Sequence, residues 1–490
     1  MKQHHNTKWL SPLYRGLLLS VCLLLVSGLA MAQLNGTYTI NSASATSGTN
    51  FKSFTDLASA LKSNGVKGAV TVNVVAASGP YSESVSFEPA SGASATNTIT
   101  INGNGETITT TSSTEVIDLN GMDFLAIKNL KIDAAGTSNY TKCVLLRNDA
   151  NNNTFDGCEM IVSKYTGTSN TTAYIAMSGS TTSNTSSGNH GSDNMFSNNK
   201  MYSGSTSNST GPYYGFVEYR NGSKGNNTWE KNDIAHVYYY WSYNYYCNGY
   251  KINGNDFHNQ RNGANYAYIT YAYYGNNSST AEQIQINDNK VHNIKCNYMY
   301  GIYSYRTQGS TAKPFQMNGN LTYSNDGLYV YGPRPYYANT FEANNNEVYS
   351  NSADYYLYGM YPYYSTNGEC IGNKITNNTA GYYVYGMFCY FAANVKINGN
   401  TISNNSALYG VYGFYHYYMT GELVNNTYFN NSGDYYNYAF LGGYCQGSLN
   451  VCHNTIILND DVDYYSYAFY AYHYYAFTNM NYKNNIVVIS

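Results

Sequence analysis

Two histidines occupy the same position in neighbouring copies of one short pattern, which makes them the first residues to consider for chemistry. His258 and His292 each follow an asparagine by three residues, in "INGNDFH" and "INDNKVH". If the two copies stack, their imidazoles lie about 5 Å apart and could share a metal ion. Histidines at exposed corners are common without a metal, and no C-x-x-C spacing accompanies them. We therefore expect no metal and no other cofactor, with these two histidines as weak candidates.

Charged residues that could serve acid–base catalysis are sparse and scattered. A polysaccharide lyase would need a Lys or Arg base beside carboxylates that hold calcium. The candidate residues lie between His258 and Arg334. These candidates are Arg306, Lys313, Arg334, Glu282, Asp288 and Asp326. A glycoside hydrolase needs a pair of carboxylates, and only Asp460-Asp461 offers one, which a loose calcium site would explain equally well. Catalytic residues stay unknown, and a lyase or hydrolase of a polysaccharide, acidic or neutral, remains the alternative function.

Tyrosine is the residue that the chain uses most unusually. There are 60 tyrosines, and "YYLYGMYPYY" from Tyr355 returns 27 residues later as "YYVYGMFCYF". Alternation with period two is typical of a strand. Tyrosines followed by Gly or Ala recur in register at Tyr300, Tyr331, Tyr358, Tyr385, Tyr412, Tyr438 and Tyr467. The apolar residue two places after each one predicts that these tyrosines face the interior and are structural.

The same alternation turns the next row outward. That row reads Tyr303, Arg334, Tyr361, Phe388, Tyr415, Leu441 and Tyr470. We predict that Tyr303, Tyr361, Phe388, Tyr415 and Tyr470 form an exposed file of rings on which sugar rings or another surface can lie. Two alternatives stay open: that the tyrosines only fill the repeat, and that the opposite parity buries this row.

A repeat of about 27 residues must position all of these groups. The pattern apolar-x-x-Asn-x-apolar recurs with its asparagine at Asn255, Asn289, Asn320, Asn346, Asn373, Asn400, Asn426 and Asn454, with weaker copies such as Asn199, Asn232 and Asn484. One such unit cannot bury its apolar face alone, so the copies must stack. We expect the asparagines to form a buried ladder, bonded to one another along the stacking axis.

The stacked repeat predicts an all-β right-handed parallel β-helix of about 14 coils. On the repeat, on "SFTDLASALKSNG" from Ser53 and on "TITINGNG" from Thr98, the chain resembles the right-handed β-helix proteins of the pectate-lyase-like superfamily, especially those exported by Bacteroidota. The resemblance implies an N-terminal capping helix near Ser53 to Leu61. It does not choose a function, because this fold carries lyases, hydrolases, esterases and adhesins.

The ends of the chain and its composition bound the setting. Residues 1–32 resemble a secretory signal peptide, residues 33–100 the cap and first coils, and residues 101–490 the repeats, which we expect to continue beyond Ser490. Export permits disulfides, and Cys143–Cys158 and Cys445–Cys452 are the expected bridges. With a net charge of −3 and no long apolar segment after the signal, we expect neither a nucleic-acid partner nor a membrane span.

The interpretation that follows is a secreted, non-catalytic protein at the outer cell surface or in a matrix. Its expected partner is a polysaccharide or a cell-surface glycan, bound through the tyrosine-rich face. The sequence leaves the glycan, the mode of attachment and the oligomeric state undetermined.

Overall fold

The chain folds as a parallel β-solenoid, which confirms the predicted all-β parallel β-helix. The computed structural model describes residues 33–112, 114–204, 208–222, 225–275, 282–444, 448–459, 464–472 and 479–489. Each strand pairs in parallel with its equivalent one coil later, as Lys374–Thr376 does with Thr401–Ser403. Three long sheets result. Sheet two has 15 strands, so the solenoid has about 15 coils rather than about 14.

Sheet one opens each coil with a short strand. Its strands are Leu34–Ile40, Asn50–Phe51, Val66–Val74, Ile99–Asn102, Leu125–Lys128, Thr154–Asp156, Met195–Ser197, Thr228–Glu230, Lys251–Asn253, Gln285–Asn287, Phe315–Gln316, Asn339–Glu342, Thr366–Ile371, Ala393–Asn398, Gly421–Val424, Ser448–Cys452 and Asn479–Lys483.

Sheet two follows after one corner, with strands of mostly three residues whose middle side chain is buried. Its strands are Tyr81–Ser82, Thr107–Thr110, Lys131–Ala134, Glu159–Ile161, Lys200–Tyr202, Asp233–Ala235, Asp256–His258, Lys290–His292, Leu321–Tyr323, Glu347–Tyr349, Lys374–Thr376, Thr401–Ser403, Thr427–Phe429, Thr455–Leu458 and Ile486–Ile489.

Sheet three contains the tyrosine-rich segments and has the longest strands in the repeats. Its strands are Val85–Phe87, Glu115–Asn120, Lys142–Arg147, Ala173–Met177, Tyr214–Tyr219, Tyr240–Tyr245, Tyr266–Tyr273, Lys295–Tyr305, Asp326–Tyr331, Arg334–Tyr336, Ser352–Met360, Thr379–Ala380, Tyr383–Tyr390, Ser406–Ala407, Gly410–Tyr417, Ser432–Gly433, Tyr436–Gly443 and Tyr465–Tyr472.

One helix, α1 (Phe54–Asn64), covers the N-terminal end of the core, as the resemblance implied. The Ser53 hydroxyl accepts a hydrogen bond from the Asp56 amide at 3.0 Å, which caps the first turn. Phe54, Leu57 and Leu61 are buried. Within the described ranges, no helix is long and apolar enough to span a membrane.

A ladder of asparagines runs along the corner between sheets one and two. The backbone N and Nδ2 of Asn320 both donate to Oδ1 of Asn346 at 3.0 Å, and Nδ2 also donates to the Ile286 carbonyl. The same pattern links Asn199, Asn232, Asn255, Asn289, Asn320, Asn346, Asn373, Asn400, Asn426 and Asn454. The next member is Asn485, because Asn484 occupies the left-handed position that precedes each ladder residue.

A second asparagine ladder, which the sequence analysis missed, runs along the corner between sheets two and three. It comprises Asn325, Asn351, Asn378, Asn405 and Asn431, each buried and bonded to the next. Each lies five residues after a member of the first ladder. That spacing is visible in the sequence, as in "NKITNN", and could have identified it.

The inward alternation of sheet three shifts by one residue at one position of each repeat, which is glycine in the central coils and Trp241, Ile269 or Ala439 in others. Leu357 and Met360 are both fully buried, and a Cβ added at Gly359 would lie 2.5 Å from Cγ1 of Ile375 across the core. Positions 357, 359 and 360 therefore all face inward. Tyr358 and Tyr361 consequently both face outward, because two successive inward positions separate them.

The expected disulfide between Cys143 and Cys158 is absent. Both thiols are free and buried, and each lies near a backbone carbonyl, that of Ile161 at 3.2 Å and of Ile127 at 3.5 Å. Cys143 lies on a strand of sheet three and Cys158 at the entry to sheet two, so the two side chains belong to different walls of the core. Cys452 is also free, and Cys445 lies outside the described residues.

Candidate functional site

The outer surface of sheet three, here called the tyrosine face, carries four parallel rows of side chains. The first row is Tyr240, Tyr268, Tyr300, Tyr331, Tyr358, Tyr385, Tyr412, Tyr438 and Tyr467. The second row is Tyr243, Tyr271, Tyr303, Arg334, Tyr361, Phe388, Tyr415, Leu441 and Tyr470. The third row is Tyr245, Tyr273, Tyr305, Tyr336, Tyr363, Tyr390, Tyr417, Gly443 and Tyr472.

The first row faces outward, which corrects the prediction that Tyr300, Tyr331, Tyr358, Tyr385, Tyr412, Tyr438 and Tyr467 point into the core. Tyr358 stacks on Tyr331 and Tyr385 with ring centroids 4.8 and 4.9 Å away. Simple parity failed because it does not anticipate the shift at the glycine. The rings pack on one another along the row, and burial among these neighbours raises the pKa of Tyr358 to about 12.

The second row is not the exposed file that was predicted. Tyr303 is only 9% exposed, Tyr361, Phe388 and Tyr415 are half-buried, and only Tyr470, at 40%, is exposed. The rings of this row lean on the first row: the centroids of Tyr358 and Tyr361 are 5.0 Å apart. Burial raises the pKa of Tyr303, Tyr361 and Tyr415. The second row therefore forms the floor of the face.

Arg334 interrupts the second row and is surrounded by tyrosines. Its guanidinium lies 4.6 to 5.9 Å from five ring centroids, those of Tyr300, Tyr303, Tyr331, Tyr336 and Tyr361. Cation–π attraction holds the positive charge there. This arrangement binds the arginine into the floor and makes it a poor candidate for a catalytic base.

A fourth row of aromatic residues, here called the corner row, follows the third row at the turn into sheet one. It consists of Arg220, Tyr246, Tyr274, Arg306, Tyr337, Tyr364, Phe391, Tyr418 and Tyr444, all with φ between 45° and 54°. Neighbouring rings stack at 4.5 to 5.5 Å, as Tyr364 and Phe391 do at 4.6 Å. Bulky side chains rarely adopt this left-handed conformation. This row was not predicted, because it lies at a turn and strand alternation does not reveal it.

His258 and His292 stack as predicted by the repeat, with ring centroids 5.2 Å apart. Each Nε2 is engaged by a carboxylate of the preceding coil, Asp233 at 2.6 Å and Asp256 at 2.7 Å. Burial lowers the pKa of His258, but the hydrogen bond to Asp233 and its charge outweigh that effect and raise the pKa overall. Tyr323 continues the stack at 4.9 Å. These contacts explain the histidines as parts of an outer ladder of stacked rings, hydrogen-bonded to carboxylates.

The charged groups considered for lyase chemistry are not brought together. Asp326 pairs with Lys295 at 3.2 Å at the start of a sheet-three strand, and Glu282 lies 3.8 Å from Lys251. Asp288 occupies a corner between sheets one and two. Arg306 lies in the corner row and Arg334 in the floor of the face, so no carboxylate pair faces either arginine among the described residues. Asp460 and Asp461 lie outside them.

A compact charged cluster that the sequence did not reveal lies before the tyrosines on the same sheet. Arg147 makes a bidentate ion pair with Asp118, with Nη2 to Oδ2 at 2.8 Å. Lys142 is fully buried, with Nζ donating to the carbonyls of Tyr140 and Thr181. Burial lowers the pKa of Lys142 to about 8 and raises that of neighbouring Glu115. Complete burial of Lys142 makes it a structural group.

Comparison with known proteins supplies no family. No protein-family model and no curated protein matches the chain. Similar solved structures include the periplasmic alginate epimerase AlgG, 12% identical over 86% of this chain and 77% of that chain with a TM-score of 0.34. The A-module of the Azotobacter vinelandii mannuronan C-5 epimerase AlgE6 is 13% identical over 86% and 91%, with a TM-score of 0.27.

PfbA, a surface adhesin of Streptococcus pneumoniae, is 11% identical over 78% of this chain and 87% of that chain, with a TM-score of 0.34. Likeness at this level carries no argument about function. The β-helix assignment rests on the parallel pairing of the strands themselves.

Proposed function

We propose that this chain is an exported, non-catalytic β-helix protein that binds polysaccharide or a cell-surface glycan along the third row and the corner row of the tyrosine face. Export rests on the signal-like pattern of residues 1–32, which lie outside the described residues. The binding surface is thus on the face that the sequence indicated. It lies on the third row and the corner row, beside the second row that forms the floor.

The observation that carries the proposal is the choice of residue in the corner row. All three corners of a coil contain a left-handed position. In the coils that follow residue 250, the described left-handed positions before sheet two are Gly254, Asp288, Gly319, Asn345, Gly372, Gly399, Asn425, His453 and Asn484, and those before sheet three are Asn259, Asn293, Ser324, Ser350, Asn377, Asn404 and Asn430. Among these described positions, tyrosine, phenylalanine and arginine occur only at the corner after the tyrosine face.

The energy of the fold does not require aromatic residues there. A bulky residue in the left-handed region costs roughly 1–3 kcal/mol, and stacking each ring on its neighbour returns about 0.5–1.5 kcal/mol. Asparagine would satisfy the same corner with little strain. The corner rings other than Tyr246 are half-buried, and we infer that they are retained for what their solvent-facing parts contact.

A glycan suits this surface chemically. Sugar rings present apolar C–H faces together with hydroxyls, and a file of tyrosine rings offers apolar area with a polar tip at low entropic cost. The repeat spaces successive rings at about 4.8 Å, so a long chain can contact many of them, and several weak contacts add up to useful avidity.

The test replaces two corner tyrosines with the residue that the other corners prefer. In Tyr337→Asn with Tyr364→Asn, the strain is relieved, so we expect an unchanged or slightly higher melting temperature and a clear loss of retention on insoluble polysaccharides. Retention is measured by pull-down and by affinity electrophoresis against a panel of soluble glycans.

A matched control changes two stacked tyrosines of sheet two in the same stretch of the solenoid. Tyr323 and Tyr349 stack at 5.0 Å on another face, and Tyr323→Asn with Tyr349→Asn should keep full retention. The proposal fails if both double variants bind alike, or if the wild-type protein binds no glycan of the panel.

A further inference from the structure

An open cleft of about 870 Å³ lies along the N-terminal part of the corner row. Tyr246 and Tyr274 stack at 4.6 Å with nearly parallel rings. Arg220 precedes them in the row and Arg306 follows them, one residue per coil. Both arginines are exposed at the surface. The cleft thus has two aromatic rings in its middle and one cation at each end.

The rings hold both guanidinium groups in place. Arg220 lies 5.1 Å from the ring centroid of Tyr246, and Arg306 lies 5.2 Å from that of Tyr274. Nη1 of Arg306 also donates a hydrogen bond to the hydroxyl of Tyr274. These contacts use the faces of the guanidinium groups and leave most of their N–H donors for a ligand.

The charge of the cleft is positive. Neither arginine has a carboxylate within ion-pair distance in the described part of the chain. The described residues that line the cleft include no Asp, Glu or Lys, and the amides of Asn248 and Gln308 are among the other polar groups. Several exposed cations elsewhere in the repeats pair with acids of adjacent coils, as Lys374 does with Glu347 at 2.8 Å.

We propose that this cleft binds a stretch of anionic glycan, with one anionic group on Arg220, a second on Arg306 and the intervening sugar rings over Tyr246 and Tyr274. This inference rests on the proposed function and names the chemical class of its ligand. Carboxylates and sulfates share the chemistry, because both accept paired N–H donors from a guanidinium.

The separation of the two arginines sets a minimum length for the ligand. Three coil steps of about 4.8 Å place the two positions about 14 Å apart along the axis. A short oligosaccharide can therefore reach one arginine only, whereas a hexasaccharide can engage both. Joining the two contacts in one chain raises the affinity beyond that of either contact.

The experiment measures the affinity of the wild-type protein for three probes by titration calorimetry at low and raised salt. The probes are a uronate hexasaccharide, the same chain after carboxyl reduction, and a sulfated neutral hexasaccharide. We expect at least one anionic probe to bind about tenfold more tightly than the neutral chain, with this preference weakened by salt. An anionic disaccharide should show a smaller preference.

Variants assign the preference to the two arginines. Arg220→Asn with Arg306→Asn should abolish it, while Arg220→Lys with Arg306→Lys should retain only part of it, because lysine keeps the charge but lacks the paired N–H donors. Lys200→Gln with Lys290→Gln removes the same charge from sheet two and should change nothing. Melting temperatures of all variants are measured alongside.

The outcomes separate this inference from the proposed function. The anionic cleft is contradicted if the wild-type protein binds anionic and neutral chains equally, or if the asparagine variant keeps the preference. In either case, retention on neutral insoluble glycan would still support glycan binding by the tyrosine face. If the wild-type protein binds no glycan at all, the proposed function itself is contradicted. The pair of anionic probes tells whether carboxylate or sulfate is preferred.

Discussion

At the scale of single residues, the buried asparagines illustrate how a polar side chain can stabilise an apolar core. Asn373 accepts two hydrogen bonds from Asn346 through Oδ1, and its own N and Nδ2 donate to Asn400. All three residues are fully buried. Because each amide serves the coil on either side, removing one leaves partners unsatisfied in both neighbours.

We therefore predict that Asn373→Leu lowers the free energy of unfolding by at least about 1–3 kcal/mol, the cost of leaving a buried polar group without a partner. Lys374→Leu, one residue on, should cost at most about 1 kcal/mol, since it breaks only an exposed ion pair. Denaturant unfolding of both variants provides the measurement. Equal losses would contradict the buried ladder.

Lys142 gives a prediction about pH. Its pKa falls from 10.5 in the unfolded chain to about 8 in the fold, so between these values the unfolded state binds a proton that the folded state lacks. The free energy of unfolding should therefore rise with pH across this window, by up to about 3 kcal/mol from this group.

Lys142→Met should remove this rise in the free energy of unfolding. Denaturant unfolding at several pH values between about 8 and 10 measures it. Exposed Lys374→Met is the control and should keep the pH dependence of the wild type. A slope in Lys142→Met identical to that of the wild type would show that Lys142 titrates normally.

At the scale of the strand and the turn, one extra inward position in each repeat sets which tyrosines face outward, and glycine occupies it in the central coils. Gly386 lies where a Cβ would come within 2.5 Å of Cδ1 of Ile402 and 2.7 Å of the Gly413 carbonyl. The equivalent position two coils later is Ala439, which is fully buried. The close packing against the opposite sheet is thus what requires glycine in the central coils.

Gly386→Ala should destabilise the protein by about 1–3 kcal/mol through overpacking. Ala439→Gly, the reverse change at the equivalent position, should cost only about 0.5–1 kcal/mol from the added freedom of the unfolded chain. Thermal and denaturant melting compare the two. If Gly386→Ala were as stable as the wild type, the conclusion that position 386 faces inward would be contradicted.

At the scale of the whole molecule, the tyrosines provide buried surface that aliphatic residues provide in other proteins. Tyr174, Tyr250 and Tyr428 are fully buried, and burial raises the pKa of each well above its usual value. A group whose folded pKa is raised stabilises the fold below its unfolded pKa, and this contribution is lost as the pH rises beyond it.

We predict that stability falls as the pH rises above about 10, the pKa of tyrosine in an unfolded chain. Tyrosinate absorbance should show two groups: exposed rings that ionise reversibly near that pH, and buried rings that ionise only when circular dichroism reports unfolding. Ionisation of all tyrosines in one step with the circular dichroism intact would contradict the buried stacks.

The sequence by itself determined the repeat, and with it the solenoid. A pattern that returns about every 27 residues forces equivalent residues into register, so the asparagine ladder and the stacking of His258 on His292 follow from spacing alone. The capping helix was expected from the resemblance of the stretch after Ser53 to the capping helices of β-helix proteins. These features are local or periodic, and periodicity survives any error about which side of a strand faces the core.

Only the tertiary structure decided which rings are accessible. The inward orientation of Gly359 depends on its close packing against Ile375 across the core. No pattern within the strand itself predicts that orientation. The strained corner row likewise depends on how the sheets meet at a corner, as do the charges of Arg220 and Arg306, which no described carboxylate pairs with. Distances between sheets, and not distances along the chain, separate the floor of the face from the surface that a ligand can reach.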